Sequence, residues 1–201
     1  MADNSWNGYE YNLLFECIGD GLYSDVARPL GCAAIEDSRA LAIADLDNDG
    51  RLDMIVANNC DPPAIFLNRL KSAGNYLRVQ LVGDNGQNPD AVGARVRVSL
   101  DEDGTQRKLT RWVEIGSGYC SQSDMRLHFG LGNADRIQSI EVDWPDGTSA
   151  EFTGETIAGI CKEEIRINQG TGKIEQFKRG SVKDTVSQTG RPVAEFLVEK
   201  R

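Results

Sequence analysis

Residues 44–59 read ADLDNDGRLDMIVANN, and the spacing of the carboxylates in this stretch decides how the rest of the chain is read. Asp45, Asp47, Asp49 and Asp53 occupy positions 1, 3, 5 and 9 of one short loop, with Gly50 at position 6. Carboxylates this close repel one another unless a cation lies between them. Side chains at these positions can converge on a point, the backbone carbonyl of Arg51 at position 7 can join them, and Gly50 permits the sharp turn that this requires. Hard oxygen donors with no His or Cys among them select Ca²⁺ over zinc or copper. Calcium also accepts irregular geometry that Mg²⁺ does not. The expected metal ligands are therefore Asp45, Asp47, Asp49, Arg51 and Asp53, and the expected ion is Ca²⁺. An EF-hand loop begins in the same way but needs a bidentate Glu at position 12, where this chain has Val56 inside an apolar run. The flanks read as strands rather than helices, so the loop is expected to act as a fixed clasp between two strands.

Two-residue alternation continues outward from this loop. In NYLRVQLVG (75–83) Leu77, Val79 and Leu81 share one face, and Arg78 and Gln80 share the other. GARVRVSL (93–100) places Ala94, Val96, Val98 and Leu100 inward, DEDG (101–104) turns, and KLTRWVEIG (108–116) returns. RLHFGLG (126–132) and IQSIEVDWPDGTSAEF (137–152) follow, the latter with a Pro145-Asp146-Gly147 hairpin turn. Short alternating strands with turn signals at regular spacing predict an all-β chain, with an antiparallel β-sandwich or barrel in its larger part. The N-terminal third reads as strand pairs around a Gly-Asp-Gly turn and around the acidic loop, with a boundary near Leu70–Gly74. The expected organisation is a segment over 1–70 carrying the calcium loop, a β domain over 71–170, and a basic, flexible tail over 171–201.

Composition restricts function. The 201 residues carry a formal charge of −9 and a pI of about 4.7. The stretch from Thr171 onward has seven Lys/Arg against four Asp/Glu, net +3, which leaves −9 − 3 = −12 on residues 1–170. An acidic body excludes nucleic acid as the expected partner and suits a protein that holds divalent cations. No run of eighteen apolar residues exists to span a membrane, and MADNSWNGYEYNLLF lacks the basic and apolar regions of a signal peptide. The five cysteines (Cys17, Cys32, Cys60, Cys120 and Cys161) form no CxxC pair, which disfavours a zinc site. They read as small hydrophobes, with a Cys17–Cys32 bridge left open.

The acidic loop, with GDGLYSDVARPLG before it and PPAIFLNR after it, resembles the FG-GAP/VCBS repeats that form calcium-bearing blades of β-propellers. That resemblance implies Asp45, Asp47, Asp49 and Asp53 as ligands in a loop between two blade strands. The following region resembles the ASPIC/UnbV domain that closes such propellers. It does so through Gly93-Ala94-Arg95-Val96, GSGYCSQSD (116–124), LHFGLG (127–132) and VDWPDGT (142–148). Cys120 departs from the aliphatic residue more usual there. Together the resemblances cover about residues 6–168. They imply partial β-propeller blades with a Ca²⁺ loop packed against an antiparallel β-sandwich-like domain. A lone blade cannot bury its own faces. The chain is therefore expected to be the C-terminal part of a larger propeller protein, secreted or at the cell surface, with further propeller blades or another chain as partner.

Catalytic constellations are sparse. His128 is the sole histidine, so a Cys120–His128 dyad or any Ser-His-Asp arrangement must use it, and no G-x-S-x-G elbow is present. GLGNAD (130–135) has neither the third Gly nor the following helix of a dinucleotide fingerprint. Glu114, Asp124, Glu141 and Asp143 are candidates for paired-carboxylate glycoside hydrolysis, and Trp112, Tyr119 and Trp144 for a sugar-stacking platform. The leading expectation is a calcium-binding, non-catalytic module whose ligand is a protein or glycan. The alternative is a carbohydrate-active hydrolase with a structural calcium.

Overall fold

The computed structural model describes residues 10–71, 74–84, 88–102 and 104–177, and over these the chain is all-β. Thirteen strands form four sheets, and the helical content among the described residues is one 3₁₀ turn, Gly154–Ile157. Two compact units result, one built from residues 10–71 with 116–123 and the other from 74–115 with 124–177.

In the first unit, β1 (Phe15–Gly19) and β2 (Leu22–Asp25) form an antiparallel hairpin. Its two turn residues, Asp20 and Gly21, have φ of 51° and 74°. That pair of left-handed residues matches the twist of the flanking strands, as the Gly-Asp-Gly text leads one to expect. β3 (Ser38–Ala44), β4 (Asp53–Asn58) and β5 (Ala64–Phe66) form a three-stranded antiparallel meander, and the acidic loop joins the first two of these strands. No closed propeller exists among the described residues. The buried hydrophobic residues of this unit are Ala27, Val56 and Phe66, and they are accompanied by buried Asp37, Asp45 and Asp53. Residues 116–123, which the sequence reading places in the second domain, pack with the first unit: the Ile43 N–H donates to Ser123 Oγ at 3.1 Å. Hydrogen bonds internal to the segment fix its shape, with Ser123 N–H on Ser117 Oγ at 2.8 Å and Gly116 N–H on Gln122 Oε1 at 2.6 Å.

The second unit contains β6 (Asn75–Val82), β7 (Arg95–Glu102), β8 (Thr105–Trp112), β9 (Leu127–Gly132), β10 (Ile137–Asp143), β11 (Ser149–Thr153), β12 (Glu163–Asn168) and β13 (Lys173–Phe177). They form two four-stranded sheets, ordered β11-β10-β7-β8 and β13-β12-β6-β9. The apolar phase of the alternation is realised in β6, β7, β9, β10 and β12, whereas β8 is exposed or half-buried throughout. Leu77 and Val79 of β6, Val96 and Val98 of β7, Phe129 of β9, Ile140 of β10 and Ile165 of β12 all lie in one core. Each such side chain, fully buried, contributes about 1.5–3 kcal/mol of transfer free energy. One pairing departs from the antiparallel expectation: β12 runs parallel to β6, with Ile165 opposite Val79. β12 enters the sheet after a long excursion through β7–β11, and such a crossover, unlike a hairpin, permits a parallel approach. A second departure lies at the C-terminal end, where β13 pairs antiparallel with β12 within the stretch expected to begin the tail. Ile174 of β13, which packs against the core, gives that strand an apolar anchor. The rest of the expected tail, residues 178–201, lies outside the described residues.

Candidate metal centre

The acidic loop folds around its own carboxylates. Asp45, 4% exposed, accepts the Asp49 N–H on Oδ1 at 3.0 Å and the Gly50 N–H on Oδ2 at 2.9 Å. The turn passes through left-handed backbone at Asn48 and Gly50, with φ of 57° and 91°. Asn and Gly are residues that tolerate this conformation. Asp49 Oδ1 accepts the Arg51 N–H at 2.9 Å. Asp53, at the start of β4 and 2% exposed, ties the loop to the chain beyond β5. Its Oδ2 accepts the Leu46 N–H at 2.8 Å and its Oδ1 accepts the Asn68 N–H at 2.7 Å.

The four carboxylates of the expected ligand set divide into a converging trio and Asp53. Asp45, Asp47 and Asp49 each bring a carboxylate oxygen to within 4.8 Å of the other two. Asp53 stands outside that trio, with both oxygens on backbone donors. The Arg51 side chain pairs with Asp49 Oδ2 and donates from Nε to the Asn68 carbonyl at 2.6 Å. Arg69, which follows Asn68, pairs with Asp47 and lies 3.6 Å from Asp49 Oδ2. Burial, reinforced by the charges of Asp47 and Asp45, pushes the Asp49 carboxyl above its ordinary range despite the opposing contribution of Arg51. Asp47 Oδ1 is buried and has no hydrogen-bond partner among the described residues. An orphaned carboxylate oxygen beside two others, all hard donors, fits a calcium ion.

The other candidates lie elsewhere. Glu141 and Asp143 of β10 sit in a cross-strand ion-pair network: Arg97 Nε reaches Glu141 at 2.8 Å, Lys108 Nζ reaches Glu141 at 2.6 Å, and Arg95 Nε reaches Asp143 at 2.8 Å. Hydrogen bonds from Lys108 to Glu141 and from Arg95 to Asp143, with Arg97 on both, hold the two carboxyls below their ordinary range. A carboxyl held ionised in this way is ill suited to act as a general acid. His128 stacks on Tyr76 with ring centroids 5.8 Å apart, and Cys120 sits exposed at a left-handed turn of the first unit. Trp144 is buried in the core, Trp112 is half exposed on edge strand β8, and Tyr119 is exposed in the first unit.

One cluster escapes the sequence reading. Arg78 of β6 is 1% exposed, with Nη2 at 3.5 Å from Asp124 and 3.6 Å from Glu164. Arg126 bridges the same two acids, with Nε at 2.8 Å from Asp124 and Nη1 at 3.1 Å from Glu164. Alternation identifies the face on which Arg78 stands but not whether that face is covered. The available signal was the pair of acids, Asp124 and Glu164, each at the mouth of a strand-like run.

Among curated proteins, cartilage acidic protein 1 of Xenopus tropicalis is 33% identical over 122 residues, which is 58% of this chain and 18% of the relative. The Mus musculus and Homo sapiens proteins of the same name are each 33% identical over 108 residues, 52% of this chain and 16% and 15% of the relatives. The chain thus spans less than a fifth of the length of these relatives. Residues 83–174, which take in β7 through β12 of the second unit, match the family described as ASPIC and UnbV.

Proposed function

We propose that the chain is a calcium-stabilised, non-catalytic β module of an extracellular or cell-surface protein, and that it binds a protein or glycan partner. The observation that carries this reading is the convergence of Asp45, Asp47 and Asp49 with the orphaned Asp47 Oδ1 among them. Asp45, Asp47 and Asp49 would hold the ion, and Asp53 would hold the loop that presents them. The bound ion would supply charge neutralisation beyond that of Arg51 and Arg69, stabilising the closed loop. The extracellular assignment draws on the similarity to cartilage acidic protein 1, a protein whose name places it in cartilage.

The first unit supplies a surface for a partner. Phe15, Ile18, Leu22 and Tyr23 on the β1–β2 hairpin are 59–65% exposed, a density of large apolar groups uncommon on a free surface. An apolar cleft of about 310 Å³, lined by Leu14, Leu30, Ile43, Met54 and Phe66 among others, opens in the same unit. Further propeller blades of FG-GAP/VCBS type, or another chain, would cover such faces. Titration of Ca²⁺ into chelator-treated protein tests the calcium reading. A binding heat and a rise in Tm are expected, and the absence of both refutes it.

A further inference from the structure

The acidic loop carries its own cations, and their placement bears on how an ion would enter. Arg69 Nη1 contacts Asp47 Oδ2 and lies 3.6 Å from Asp49 Oδ2, so a single guanidinium spans two of the three converging carboxylates. Arg51 covers the same Asp49 oxygen. The backbone fixes both positions. Asp53 Oδ1 holds the Asn68 N–H at 2.7 Å, and the Asn68 carbonyl receives Arg51 Nε at 2.6 Å, so Arg69 is delivered to the loop from an anchored neighbour. The Arg69 side chain is about one-third exposed, which leaves it a route into water.

We propose that Arg69, assisted by Arg51, is a built-in competitor for the cation of this loop. The guanidinium groups neutralise the carboxylates when metal is absent, and calcium entering at the unpaired Asp47 Oδ1 would repel them from Asp47 Oδ2 and Asp49 Oδ2. The inference rests on the calcium reading above. A divalent ion and a guanidinium drawn to the same carboxylates repel each other, and the ion's binding free energy is reduced by whatever the weakened ion pairs contributed. The loop is thereby protected from self-repulsion at low calcium, and its apparent affinity is set below what three carboxylates alone would provide. A partly exposed arginine pairs weakly enough to be displaced, whereas a buried one would not be.

The experiment compares Ca²⁺ binding by isothermal titration calorimetry, and Tm in chelator, for the wild-type chain, Arg69→Gln, Arg69→Lys and Arg51→Gln. Arg69→Gln is expected to bind Ca²⁺ on the order of tenfold more tightly, as the loss of one competing charge at partly screened range implies. Its Tm in chelator should fall. Arg69→Lys keeps the charge and should stay near the wild type in both readouts. If Arg69→Gln folds only in calcium, that too supports the competitor role, and if it folds in neither condition, the affinity of Arg51→Gln decides. Wild-type binding with unchanged or weaker affinity in the charge-removing variants overturns the competitor role and leaves the calcium reading intact. No binding by any of the four chains overturns both.

Discussion

Arg78 and Glu164 stand opposite one another in the parallel β6–β12 pair, with the Arg78 guanidinium 1% exposed and 3.6 Å from the Glu164 carboxylate. The ion pair lies on the face of the sheet opposite Leu77 and Val79, so one strand pair buries apolar side chains on one side and charge on the other. Burying charge is costly, and the second arginine and second acid in this cluster offset that cost. Glu164→Ala leaves Arg78 and Arg126 with Asp124 as the acid of the cluster, and the variant should lose about 3 kcal/mol of stability. Urea unfolding followed by tryptophan fluorescence measures this, and a loss below about 1 kcal/mol would show the pair to be no more than a surface contact.

The same cluster predicts a pH dependence. Burial alone would raise the Asp124 carboxyl, but hydrogen bonds and charge from Arg126, with Arg78 nearby, hold it below the ordinary carboxylate range. A carboxyl whose folded pKa is depressed contributes stability that is fully present above its unfolded pKa, about 3.9, and lost as pH falls through the folded value. The wild-type Tm should therefore fall as pH drops below about 4. Asp124→Asn should start from a lower Tm at neutral pH and show a shallower acid limb. Melting curves between neutral pH and strong acid distinguish the two profiles. Parallel curves would exclude this role for Asp124.

Asp49 and Asp53 should respond differently to calcium. Asp49→Ala removes one of three converging oxygens and should abolish the calcium-dependent rise in Tm. Asp53→Asn keeps those three but loses an acceptor for a backbone N–H, so it should cost about 1–3 kcal/mol with or without calcium. Paired melts in chelator and in calcium resolve the two behaviours. An Asp53→Asn variant whose loss appears in calcium alone would return Asp53 to the ligand set.

Apolar substitutions should separate by unit. Phe129→Ala, at a fully buried position of the second unit's core, should cost about 3–5 kcal/mol. Phe15→Ser and Tyr23→Ser on the exposed hairpin should each change stability by no more than about 0.5 kcal/mol. They should also reduce self-association or partner binding if that face docks, which sedimentation velocity can follow. A loss of several kcal/mol from Phe15→Ser would show that the hairpin is packed rather than presented.

By itself the sequence determined the local features of this protein. Period-two alternation placed Leu77, Val79, Val96 and Val98 in a core, because a strand's side chains can only alternate between two faces. Gly-Asp-Gly set the β1–β2 turn, because few residues accept left-handed backbone. The Asp45–Asp49 run brings its carboxylates together, because the left-handed turn at Asn48 and Gly50 points the Asp49 and Gly50 N–H groups at Asp45. Tertiary structure decided everything that joins distant segments. The parallel pairing of β12 with β6 unites strands far apart in the chain, and no local pattern states it. Residues 116–123 joined the first unit through Ser123 and β3, although they lie among strands of the second. Asp53 accepts the Asn68 N–H from beyond β5, a contact that no local spacing states. Arg78 shows the limit most clearly: alternation names a face, but only packing decides whether that face meets water or is sealed around an ion pair.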